Sequence, residues 1–79
     1  MKVELVKQLK DAGRNRFFKV CIDDDAVAVI NKKDIVNVEI AILNSKGNKD
    51  KEKTVTCHWS MSDIEIIQEV LFLLRIKAS

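Results

Sequence analysis

The chain has 79 residues, 47% apolar and 33% charged, with a formal net charge of +2. This is a globular composition, not a disordered one, and it fits one domain over residues 1–79. A core so thin needs help from a partner, a metal or disulfides. The small net charge does not by itself imply a nucleic-acid ligand, because phosphate binding depends on local clusters of Lys and Arg.

Lys2, Glu4 and Lys7 interrupt any early apolar run, so no signal peptide is expected. No apolar run is longer than Val70 to Leu74, which is far short of a membrane span. The chain is therefore expected to be intracellular, cytoplasmic or nuclear, not secreted, and without a membrane partner. In such a compartment Cys21 and Cys57 are expected to stay reduced. With no Pro and two Gly, turns fall to Asp, Asn, Ser and Lys.

In chain order, Val3, Val6 and Leu9 have helical spacing and Gly13 fits a helix stop. An N-terminal helix is predicted, with a strand over "KVELV" as the competing reading. "RFFKVCI" is aromatic and β-branched and predicts a strand. Asp23, Asp24 or Asp25 then suits the N-cap of a helix over "DDDAVAVINKKD", with Lys32 and Lys33 at its far end. The β-branched residues of that segment argue instead for a strand.

"DIVNVEIAILNS" alternates Val36, Val38, Ile40 and Ile42 with Asn37, Glu39 and Ala41, and predicts a strand. After the polar turn "KGNKDKE", "KTVTCHW" predicts the returning strand. Val55, Cys57 and Trp59 share one face of it, and Thr54, Thr56 and His58 the other. Ser62-Asp63-Ile64-Glu65 is a capping box that opens a helix. A helix running on would set Phe72 and Ile76 among Glu65, Gln68 and Glu69, so the helix is predicted to end near Val70. A last strand, "LFLLRIKA", follows.

The predicted class is α+β, with a ferredoxin-like βαββαβ antiparallel sheet and an N-terminal helical or strand extension. The alternative is α-β4-α. With helices on one face, the other face still carries apolar residues: Ile35, Ala41 and Leu43, with either Phe17 and Cys21 or Phe18, Val20 and Ile22, and either Phe72, Leu74 and Ile76 or Leu71 and Leu73. A patch of that size marks an interface, so a homodimer is predicted through Phe72, Leu74, Ile76, Leu43 and Ile35.

Arg14, Arg16, Lys19, Lys32 and Lys33 form the candidate phosphate-binding group, which makes DNA the candidate second partner. His58 with Glu39 across the hairpin is a candidate half-site for a divalent metal such as zinc, and Asp23, Asp24 and Asp25 form a second acidic candidate. Cys57 and His58 are adjacent, and adjacent strand residues point to opposite faces, so they make no nucleophile–base pair. There is no glycine-rich phosphate loop. The chain is expected not to be an enzyme.

The element order predicted over Arg16 to Lys77 resembles the DNA-binding domain of the papillomavirus early regulatory proteins, a dimeric barrel that reads the major groove with its first helix. The matching helix here opens on three acids, which would repel phosphate. Length and character are also similar to the small nonstructural proteins of white spot shrimp virus. That resemblance implies a ferredoxin-like viral dimer with a regulatory role and divalent-ion binding. "KTVTCHWSMSDIEIIQEV" is similar in pattern to the last strand and helix of the transcriptional coactivators that bind single strands. The expected function is a non-enzymatic homodimeric regulator of transcription that binds nucleic acid. The alternatives are a protein-interaction module or a metal-linked dimer.

Overall fold

Alternating side chains organise five successive strands, each antiparallel to the one before it. In a computed structural model, residues 1–13, 15–34 and 36–75 are described, with 9–12 as backbone only. The elements are β1 (Val3–Ala12), β2 (Asn15–Ile22), β3 (Asp25–Lys32), β4 (Val38–Leu43), β5 (Lys49–Cys57) and α1 (Asp63–Leu73). The strands lie in the order β1-β2-β3-β4-β5. The fold is α+β, a small antiparallel sheet with a C-terminal helix.

This is not the βαββαβ order, and three segments account for the difference. The predicted N-terminal helix is a strand: Val3 pairs with Ile22 and Leu5 with Val20, and Gly13 at φ 62 serves the turn into β2. The segment after the three aspartates is β3. Asp23 and Asp24 do not cap a helix. Both adopt left-handed backbone, φ 49 and φ 72, between the paired residues Ile22 and Asp25. A two-residue hairpin needs that conformation, and Asp tolerates it. Finally, the helix runs on to Leu73, so residues 71–73 are not a strand. Of the alternative α-β4-α plan, the four central strands and the last helix are present, and its first helix is not.

The helix begins at its capping box. Glu65 N donates to Ser62 Oγ at 3.3 Å and Ser62 N donates to Glu65 Oε1 at 3.1 Å, satisfying two amides that the first turn leaves open. Asp63 and Glu65 place negative charge at the positive end of the helix dipole. Its far end is closed by Leu74, whose amide donates to Val70 O, and by Arg75 at φ 57.

Alternation then decides the two faces of the sheet. Val20, Ala28, Ile30, Val38, Ile40 and Ile42 face the helix and bury against Ile66 and Val70. Burying each large side chain of this set contributes about 1.5–3 kcal/mol before entropy. The helix packs on β1 and β4, three places apart and about 14 Å across a flat sheet. A helix is only about 10–12 Å wide, so the sheet curls around it. Register shifts in the β1–β2, β2–β3 and β4–β5 pairings supply that bend.

Two strand ends are shorter than predicted. β4 starts at Val38, leaving Val36 half exposed in the preceding loop, and β5 ends at Cys57, leaving Trp59 53% exposed. The loop is held by Asp34, whose Oδ1 accepts from the amides of Val36 and Asn37. No helix among the described residues is long and apolar enough to cross a membrane.

Candidate functional site

Among the described residues, one face of the sheet has no helix over it. Pairing and alternation place two rows of side chains there. Val6, Lys19, Val29, Ala41 and Thr54 make one row across all five strands. Phe17, Asn31, Glu39 and Thr56 make the adjoining one. Cys21 and Leu43 lie on the same side. Ala41 and Cys21 are nonetheless buried, and neither belongs to the helix-side core.

The electrostatics of this face are uneven. Glu39 is matched by two lysines, with Lys33 Nζ at 3.4 Å and Lys49 Nζ at 3.8 Å. Lys19 has no carboxylate partner among the described residues. Asn31 Oδ1, at the register position between Phe17 and Glu39, is buried without a hydrogen-bond partner. A buried acceptor left unpaired costs about 1–3 kcal/mol, and such an atom in a native fold calls for an explanation.

The five cations expected to act together are divided by the fold. Lys19 is on the uncovered face and Lys33 reaches the same side through Glu39. Arg16 and Lys32 are paired on the helix side. Lys32 also lies 3.7 Å from Asp63. Arg14 is outside the described residues.

The metal candidates are likewise separated. Glu39 pairs with Thr56, not with His58. The exposed His58 ring puts Nδ1 2.8 Å from Asn37 Oδ1. Asp23 Oδ1 accepts from the Lys2 amide at 2.8 Å, while Asp24 in the turn and Asp25 at the start of β3 are exposed. Among the described residues no group of three His, Cys, Asp or Glu could hold a metal ion.

Cys57 is buried in the helix-side core and His58 is exposed. Burial pushes the Cys57 thiol above its ordinary pKa, with a smaller push from Glu69. Cys21 and Cys57 are free thiols, on opposite faces of the sheet. The residues expected at a dimer interface are also split. Phe72 is 74% exposed on the outside of the helix, Leu74 packs against the core, and Leu43 lies on the uncovered sheet face. Ile35 and Ile76 are outside the described residues.

No family model, curated protein or solved structure matches the chain. Nothing in these comparisons ties it to viral nonstructural proteins, and the papillomavirus likeness rested on an element order the chain does not have. The sequence reading did not assign Phe17 and Asn31 to a site. Strand parity was the available signal for Phe17. For Asn31 it required β3 to be read as a strand.

Proposed function

We propose that this chain is a non-enzymatic regulatory module that acts as a homodimer and binds single-stranded DNA across the uncovered face of its sheet. One juxtaposition carries the reading: Phe17, Lys19 and Asn31 share that face on neighbouring strands. Phe17 offers a ring for base stacking, a contact worth about 1–3 kcal/mol per base. Lys19 supplies a cation that no carboxylate among the described residues neutralises. Asn31 lies beside Phe17 in the same row. Lys33 and Lys49 flank the face and offset Glu39.

A sheet face suits a single strand better than a duplex, because exposed bases can lie flat against it. The helix is a poor reader of a major groove, since Asp63 and Glu65 stand at its start. The dimeric state is supported by Ile64, 68% exposed, and Phe72 on the outside of the helix. Apolar exposure of that extent on so small a domain marks a contact surface.

The test is fluorescence anisotropy with a labelled single-stranded oligonucleotide, in wild type and in Phe17→Ala and Lys19→Ala. Binding should weaken steeply with salt. Phe17→Ala should weaken it at every salt concentration, and Lys19→Ala should flatten the salt dependence. No binding at low salt would remove the proposal. Equal binding by Phe17→Ala would move the strand off this face.

A further inference from the structure

The outside of α1 is nearly self-complementary. Ile64, Gln68 and Phe72 follow one another at intervals of four residues, on one stripe of the helix. The stripe is about 12 Å long, and it lies opposite the buried Ile66 and Val70. Ile64 and Phe72 stand at its two ends as the most exposed large apolar residues of the helix. Gln68 stands midway and is exposed.

Charge is polarised along the same element. Asp63 and Glu65 occupy the first turn, no basic residue lies in the last turn, and Arg75 follows directly after the cap.

We propose that a second copy of this chain covers the stripe, with the two α1 helices antiparallel and a two-fold axis at Gln68. This specifies the surface behind the homodimer proposed above and rests on that part of it. The two-fold brings Ile64 of each copy against Phe72 of the other. It sets Gln68 against Gln68, and an amide side chain can both donate to and accept from its own kind. It carries Arg75 over the acidic first turn of the other copy, and it opposes the two helix dipoles favourably.

A foreign partner would need no such internal symmetry, whereas an isologous contact requires it. The sheet faces then point away from each other, so each keeps Phe17 and Lys19 accessible. One dimer can hold two separate strands.

The experiment is cysteine cross-linking of the full chain carrying Gln68→Cys, at tens of micromolar under mild oxidation, with sedimentation of wild type and Phe72→Asp alongside. Wild type is the control, since Cys21 and Cys57 are buried. The expected result is a covalent dimer through position 68, a dimeric wild type, and a Phe72→Asp variant shifted to monomer by at least tenfold in dissociation constant. A monomeric wild type at all concentrations overturns the proposal. So does cross-linking through Val6→Cys, on the uncovered sheet face, in place of Gln68→Cys. The readout is independent of DNA: a dimer that cross-links at position 68 but binds no oligonucleotide keeps this interface and removes the ligand.

Discussion

Lys32 Nζ lies 4.8 Å from the centroid of the Phe18 ring. The two side chains share the helix-covered face of β2 and β3, and the ammonium also reaches toward Asp63 at the helix start. A cation placed so is part of the fold's own packing. Lys32→Met should therefore cost about 0.5–1 kcal/mol in urea unfolding, the scale of a cation–π contact, and should leave oligonucleotide affinity within twofold. Lys19→Ala should do the reverse. A large loss of affinity in Lys32→Met would put the ligand on the helix side.

Two isoleucines of the helix, two residues apart, should behave oppositely. Ile66 is fully buried and Ile64 is 68% exposed. Ile66→Ala removes packed volume under the sheet and should cost about 2–5 kcal/mol. For a small domain that is a large part of the total stability. Ile64→Ala should stay within about 0.5 kcal/mol in solution dilute enough to dissociate the proposed dimer. Thermal unfolding of both variants at low concentration checks the pair.

Ser62→Ala removes the hydroxyl that accepts from the Glu65 amide. About 1 kcal/mol of stability should be lost, and hydrogen exchange in the first turn of α1 should speed up more than exchange in the strands. Ser62→Asp, which can still accept that bond, should restore most of the loss.

Asp24 has φ 72 in the β2–β3 turn. A β-branched residue is strained there, so Asp24→Val should destabilise by about 1–2 kcal/mol. Asp24→Gly should be neutral or slightly stabilising, since Gly enters that region freely. Equal losses for the two would mean that the carboxylate, not the backbone, matters.

Burial, with a smaller contribution from Glu69, raises the Cys57 thiol above its ordinary value of 9.0. The unfolded chain therefore loses that proton first as pH rises. The stability linked to Cys57 is complete below pH 9.0 and declines above it, until the folded thiol ionises too. Denaturant unfolding from pH 8 to 10.5 should show this fall, and Cys57→Ala should flatten it. The same raised pKa predicts slower alkylation of Cys57 in the native protein than in urea.

Residues alone were enough for features that depend on near neighbours. The capping box of Ser62 and Glu65, the alternation of Val38, Ile40 and Ile42, and the return of Val55 and Cys57 are all local. Each works through hydrogen bonds or strand parity within a few positions. The excess of apolar sheet residues was also visible, as was the split of Phe17 and Cys21 from Phe18 and Val20.

Tertiary contact decided the rest, because the local preferences were close to balanced. Residues 25–32 have both helical and extended character, and pairing with β2 on one side and β4 on the other makes the extended form the one that satisfies its backbone. The N-terminal segment is a strand because β2 presents an edge for Val3 and Leu5 to join. α1 keeps Phe72 helical, although the ring is exposed, because ending earlier would leave Val70 and Leu73 without their packing against the sheet. Which cations share a face follows from strand parity once β3 is in place, and no spacing rule applied to Lys19, Lys32 and Lys33 in the linear chain could supply it.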